Sequence, residues 1–157
     1  DHVFYSEYVI RLWGALGLLA STRKNETAED VVKQYLDELL SRSFLQDFVN
    51  MGSIYRFTMH DLVHDLALFV AKDECLLINS HIQNIPENIR HMSFAEYSCL
   101  NENSFTSKSV AVRTIMFPNG VEGANVEAFL NTCVSKFKLL RVLDLRGSTC
   151  KTLPRSI

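Results

Sequence analysis

Glycine is scarce in this chain of 157 residues, and it is badly placed for holding phosphate. The six glycines, at positions 14, 17, 52, 120, 123 and 147, never meet the spacing G-x-x-x-x-G-K-(S/T). A loop of backbone N–H groups wrapped around a nucleotide phosphate is therefore excluded. The four cysteines, Cys75, Cys99, Cys133 and Cys150, include no C-x-x-C pair, which excludes a zinc knuckle or a thioredoxin-type site. Their spread fits reduced, partly buried thiols in an intracellular protein. No apolar run reaches the roughly 18 residues that a membrane span needs, and Asp1-His2-Val3-Phe4 lacks the basic and apolar regions of a secretory leader. An initiator methionine is also absent, and the expectation is a segment cut from a longer chain. An excess of one charge is missing too: the net charge is −2, so the whole chain has no pull toward nucleic acid or a membrane surface.

What is present is globular. Hydrophobic residues make up 47% and charged residues 22%, enough to build a core in one domain or two small ones. The charge is divided unevenly. Residues 1–89 carry seven Lys/Arg against 13 Asp/Glu, and residues 90–157 carry nine against five. That asymmetry suggests two modules.

The first half reads as helices around a hairpin. Val9, Leu12, Trp13 and Leu16 follow helical spacing, and Gly17 lies near the end of that helix. Ser21 to Thr27 is a polar loop. Thr27 is a candidate N-cap, with Asp30 three residues on. From about Ala28 to Phe44, Val31, Val32, Tyr35, Leu36, Leu39, Leu40 and Phe44 form a stripe to be buried. Asn50-Met51-Gly52-Ser53 is a turn, with Leu45–Val49 on one side and the alternating Tyr55, Phe57 and Met59 on the other. Helical spacing returns at Leu62, Val63, Leu66, Ala67, Phe69 and Val70, and Cys75–Ile78 is a short strand. Helix, helix, hairpin, helix is an α+β unit with the outline of a winged helix, assigned to residues 1–78. Trp13, Tyr35 and Phe44 are read as core rather than ligand stackers.

After a connector at 79–89 the pattern changes. Three short apolar strands are expected at 90–94, 112–117 and 140–145, roughly 20 to 30 residues apart, with loops at 98–109 and 118–127. Leu140, Leu143, Leu145, Ser148, Leu153, Pro154 and Ile157 follow L-x-x-L-x-L-x-x-(N/S)-x-x-x-x-L-P-x-x-I. The alternate leucines should point inward. Residues 90–157 thus read as the first repeats of an incomplete leucine-rich-repeat solenoid.

The stretch with chemical content is Met59-His60-Asp61-Leu62-Val63-His64, where a strand runs into a helix. A helix start presents N–H groups and a positive dipole end, which suits an anion. An imidazole there can donate a hydrogen bond. The plainer reading is that His60 ends the strand and Asp61 favours the helix N-terminus. His60 and His64 also imitate the H-E-x-x-H zinc pair, but Asp61 replaces the glutamate and no third ligand follows. DNA binding is not expected, because the helix from residue 28 carries Glu29, Asp30, Asp37 and Glu38 against Lys33 and Arg42.

Three runs together resemble one family: Ile10-Arg11-Leu12-Trp13, then Tyr35-Leu36-Asp37-Glu38-Leu39-Leu40-Ser41-Arg42-Ser43-Phe44, then Phe57-Thr58-Met59-His60-Asp61-Leu62-Val63-His64-Asp65-Leu66-Ala67. They are similar to the plant nucleotide-binding leucine-rich-repeat immune receptors of the coiled-coil class. The match covers the winged-helix end of the NB-ARC module and the first repeats. The resemblance implies a nucleotide switch in the cytoplasm. ADP is held in the resting state, a histidine matching His60 reaches its β-phosphate, and an aspartate matching Asp61 stabilises the closed arrangement. Exchange of ADP for ATP releases the winged helix and triggers defence. The implied partners are the nucleotide-binding core of the same receptor and, through the repeats, other protein domains or pathogen-derived proteins. The phosphate loop and the acidic magnesium-binding strand of the family are missing here. Weak ADP binding and no enzymatic activity are therefore expected of the chain alone. Leu16 stands where relatives often have an acid, so no polar contact is expected there. The other reading is an interaction scaffold without a nucleotide role. In the switch reading Leu62, Leu66 and Phe69 are expected to anchor the His60 contact to the winged-helix core and pass its state toward the repeats.

Overall fold

A computed structural model describes residues 2–20, 25–79, 82, 85–95, 111–120, 126–148 and 153. The chain divides into two compact units, Asp1–Val70 and Ala71–Ile157. Each is built around its own core.

In the first unit, strand β1 (Val3–Tyr5) runs directly into helix α1 (Ser6–Leu16). The helix stops where Gly17 turns left-handed, with φ 77°. The Gly17 and Leu18 N–H groups then donate to the Gly14 and Trp13 carbonyls at 3.0 and 2.8 Å. A residue without a Cβ takes that conformation at low cost. Helix α2 (Ala28–Ser41) ends three residues before the expected Phe44. Ser43 there adopts φ 59°, and the Ser43 and Phe44 N–H groups close on the Leu40 and Leu39 carbonyls, both at 2.9 Å. The apolar stripe continues past the helix because Phe44 leads into the next strand. Hydrophobic spacing alone could not show that stop.

The expected cap at the start of α2 is present. The Asp30 N–H donates to Thr27 Oγ1 at 3.2 Å, and the Thr27 N–H donates to Asp30 Oδ2 at 3.0 Å. The bonds from the Thr27 amide, and then from its hydroxyl, hold the Asp30 carboxyl below its ordinary value of 3.8. A depressed folded-state value makes this contribution present above about pH 4 and lost on acidification through the lowered value. Thr27→Ala should cost about 0.5–2 kcal/mol at neutral pH, measured by chemical denaturation. The deficit should shrink as the pH falls below that range.

Strands β2 (Leu45–Asn50) and β3 (Tyr55–Met59) form the expected hairpin, and the sheet order is β1-β3-β2, all antiparallel. Three residues are too few for β1 to show alternation in the sequence. Its presence makes β3 the central strand. Phe57 and Thr58 are both buried, which breaks the simple alternation, and the Thr58 hydroxyl donates to Asp47 Oδ2 at 3.1 Å. The core is Val9, Val32, Leu36, Leu45 and Phe57. Helix α3 (Asp61–Ala71) follows β3 and has no buried residue.

The second unit is a four-stranded parallel sheet in the order β4-β5-β6-β7: β4 (Cys75–Ile78), β5 (His91–Phe94), β6 (Thr114–Met116) and β7 (Val142–Asp144). Two sequence-based boundaries move as a result. Residues 75–78, assigned to the winged helix, pair with β5 and belong to the second unit. The connector at 79–89 supplies Ile85 and Ile89 to the core of that unit, both 2% exposed. Helix α4 (Val126–Lys136), between β6 and β7, was not anticipated. Val126, Phe129, Leu130, Cys133 and Phe137 lie at helical spacing and are buried with Met92 and Ile115. Burial pushes the Cys133 thiol up to about 12, so it is inert at neutral pH.

Leu140, Leu143 and Leu145 pack against this core as expected, but Leu153 is 60% exposed. No described strand follows β7 to cover it. Pro154, Ile157 and the loop at 98–109 lie outside the described residues. Turns follow β6 and β7, closed by Gly120 N–H to the Phe117 carbonyl and Ser148 N–H to the Leu145 carbonyl, both at 3.0 Å. Among the described residues no helix is long and apolar enough to cross a membrane.

Candidate functional site

His60 joins β3 to α3, and its hydrogen bonds fix both sides of that joint. Its N–H donates to the Phe44 carbonyl at 3.0 Å, tying the joint to the chain just beyond α2. Its carbonyl accepts from the Val63 and His64 N–H groups, both at 2.9 Å. Its Nδ1 accepts the Leu62 N–H at 3.2 Å. His60 is thus the N-cap of α3 through both backbone and side chain, a place usually taken by Ser, Thr, Asp or Asn. A ring nitrogen that accepts a hydrogen bond carries no proton, so the neutral ring here carries its proton on Nε2. That leaves an N–H donor at the positive end of an 11-residue helix.

Asp61 is the first residue of α3 and is exposed, where its negative charge favours the helix start. It lines a cavity of about 290 Å³ together with His2, Phe4, Met59 and His64. Pairing of β1 with β3, which sets Val3 opposite Thr58, brings His2 and Phe4 there. The His2 and Phe4 rings meet edge to face at 4.7 Å. Sequence reading had no signal for His2, because its position depends on a three-residue strand. His64 faces the same cavity, and its Nδ1 is 3.5 Å from Asp65 Oδ1 at the surface.

The expected anchoring of α3 is overturned. Leu62 is 73% exposed and Phe69 is 68% exposed, and Leu66, Leu68 and Val70 are also open. Helical spacing correctly implied a helix, but the neighbouring sheet does not cover its apolar side. Tyr35 and Phe44 also depart from the core reading, whereas Trp13 is half-buried and packs against the core as expected. With Leu39, Glu38 and Arg42 all three line an open groove of about 380 Å³. Trp13 and Tyr35 lie 6.1 Å apart, and Arg42 pairs with Glu38 at 2.7 Å. His60 caps the helix rather than sitting one turn inside it. Among the described residues no three His, Cys, Asp or Glu side chains are placed to hold a metal.

Residues 1–67 match the family described as the disease resistance protein winged helix domain. A disease-resistance-type protein of Arabidopsis thaliana is 35% identical over 164 residues, covering 99% of this chain and 11% of that protein. The disease resistance protein RGA2 of Solanum bulbocastanum is 36% identical over 161 residues, covering 100% of this chain and 13% of its own length. The chain belongs to the plant disease resistance protein family. A more distant member, disease resistance protein RPM1 of Arabidopsis thaliana, is 28% identical over 158 residues, 93% of this chain and 16% of its own length. The matched winged helix therefore comprises the α1, α2, β2, β3 and α3 elements read from the sequence, with β1 added. The chain spans between a tenth and a sixth of the length of these relatives.

Proposed function

We propose that this chain is the regulatory segment of a cytoplasmic plant immune receptor, and that His60 reports the state of a nucleotide held by the receptor's nucleotide-binding core. One observation carries the reading: Nδ1 of His60 is taken up by the α3 cap, which turns Nε2–H into a fixed donor at a helix N-terminus. Such a donor suits the β-phosphate of ADP. Asp61, beside it, stabilises the closed arrangement. The segment is not an enzyme by itself, since it has no glycine-rich phosphate loop. ADP and ATP belong to the longer receptor, whose core is the partner of this face. The parallel sheet of residues 75–144 begins a leucine-rich-repeat domain that meets other protein domains or pathogen-derived proteins. The in-register parallel strands also support a second reading, an interaction scaffold without a nucleotide role.

The deciding experiment uses the chain extended to include the phosphate loop, purified and assayed for bound nucleotide. ADP is expected in near-stoichiometric amount. His60→Ala should reduce retained ADP about tenfold, the loss of roughly one charge-assisted hydrogen bond. His60→Asn separates the two roles of the residue, because asparagine caps helices well but cannot reproduce the Nε2–H donor. It should keep the thermal stability and still lose ADP. Equal ADP retention in all three proteins would remove the nucleotide role and leave the scaffold reading.

A further inference from the structure

Independently of the nucleotide reading, the parallel sheet has a bare edge whose backbone groups can be assigned one by one. β4 stands at the end of the sheet, and among the described residues β5 is its strand partner. The Glu74 carbonyl accepts the His91 N–H, and the Ile78 carbonyl accepts the Ala95 N–H, both at 3.0 Å. Alternate residues of a parallel strand bond to the same neighbour. Glu74, Leu76 and Ile78 therefore turn their backbone groups toward β5. Cys75 and Leu77 turn theirs to the open side, and both residues are exposed, Leu77 by 57%.

A row of unpaired N–H and C=O groups is a template for another strand, and proteins blunt such rows with charge, proline, bulges or brevity. β1 gives way to α1 after three residues. β2 shifts register between Gln46 and Val49, where Asp47 takes φ 51°. β7 ends on the charged Asp144. β4 runs Cys75-Leu76-Leu77-Ile78, with no charge, no proline, no positive φ and no register shift. None of the chemical defences protects it.

We infer that the outer edge of β4 pairs antiparallel with the same edge of a second copy of this chain, about a two-fold axis at Leu76. The edge is complementary to itself. An axis at Leu76 sets Cys75 of each copy opposite Leu77 of the other, as hydrogen-bonded pairs that use every outward-facing backbone group. The side chains match on both faces. Leu76, partly buried where the core reaches the sheet edge, meets Leu76 of the second copy and joins the two cores. On the other face the exposed Leu77 lies beside Cys75 of the second copy, covering apolar surface that is otherwise open. No like charges meet, because the two Glu74 residues fall about 13 Å apart, beyond the screening length of about 8 Å. Each is also held by its own Arg90, with Nε 3.6 Å from Oε1. An axis at Leu77 would instead need Asn79, whose carbonyl closes a turn with the Ile82 N–H at 3.2 Å.

The test uses the full 157-residue chain. Sedimentation over a concentration series should show a weak monomer–dimer equilibrium, in keeping with an interface below about 1,200 Å². Leu77→Lys puts two like charges about 7 Å apart across the axis. It should weaken the dimer about tenfold and leave the melting temperature of the dilute chain unchanged. Leu77→Cys sets a thiol opposite Cys75 of the second copy. The Cα atoms are then about 5.5 Å apart, inside the range of about 4.4–6.8 Å that a disulfide spans. Oxidation with diamide should give a covalent dimer that the wild-type chain does not form and that is lost when Cys75→Ser is added. This smaller exchange keeps the test decisive even where the lysine disturbs the fold. A wild-type chain that stays monomeric throughout the series, or a dimer untouched by Leu77→Lys, would overturn the self-pairing. A covalent dimer that persists in the Cys75→Ser, Leu77→Cys double variant would overturn the axis at Leu76.

Discussion

Gly120→Ala should destabilise the second unit by about 2–5 kcal/mol. Two separate terms add. Gly120 has φ +71°, a left-handed backbone in which a Cβ costs roughly 1–2 kcal/mol. A Cβ at this position would also lie 2.3 Å from the Gly147 carbonyl oxygen and 2.7 Å from its carbon. That obstacle is backbone, so it cannot rotate away, and the overlap adds about 1–3 kcal/mol. The contact exists because the turn after β6 lies against the turn after β7. Gly52→Ala is the matched comparison. Gly52 has φ +89° and nothing within 4 Å of its would-be Cβ, so it should show only the backbone term, about 1–2 kcal/mol. Amide hydrogen exchange in β6 and β7, followed with urea denaturation by circular dichroism, reads the first effect. Equal losses for the two variants would mean that the Gly120–Gly147 approach is not a tight one.

How much of this was legible in the sequence follows from the range of each signal. The Thr27–Asp30 cap, the Gly17 stop and the hairpin around Gly52 depend on residues within four positions of each other, and the structure places all three as expected. The three strands of the second unit are where their apolar runs are, trimmed by a few residues. Long-range features were not legible. β1 is three residues long and exists because β3 offers it an edge. β4 resembled the last strand of the winged helix until its pairing with β5 placed it elsewhere. Helix α4 has a clear apolar face from Val126 to Phe137, but a loop drawn across its first turn concealed the period. At the candidate site, position and residue type were legible and wiring was not. Sequence could place His60 at a helix start. Only coordinates show that its Nδ1 is used as a cap, and that His2 and His64 come together beside Asp61.

Leu36→Ala should destabilise the winged helix by about 2–5 kcal/mol and loosen the functional joint with it. Leu36 is 1% exposed and packs with Val9, Val32, Leu45 and Phe57, so truncation leaves a cavity that two helices and a sheet cannot easily close. The link to the site is a short one. Leu36 fixes the last turns of α2, the Leu39 carbonyl receives the Phe44 N–H, and the Phe44 carbonyl receives the N–H of His60. A loosened α2 therefore frees the residue that caps α3. Trp13, the single tryptophan, lies in this unit and reports its unfolding by fluorescence. Amide exchange at His60 should quicken in Leu36→Ala beyond what global destabilisation requires. Leu62→Ala removes an apolar side chain of the same size from α3, yet at 73% exposure it should cost no more than about 0.5 kcal/mol. If the two variants prove equally costly, α3 is packed in solution and the exposed helix described above is wrong. The expected contrast places the stability of the winged helix in α1, α2 and the hairpin. Its His60 cap then fixes the start of α3, which is what the nucleotide-reporting role proposed above would require.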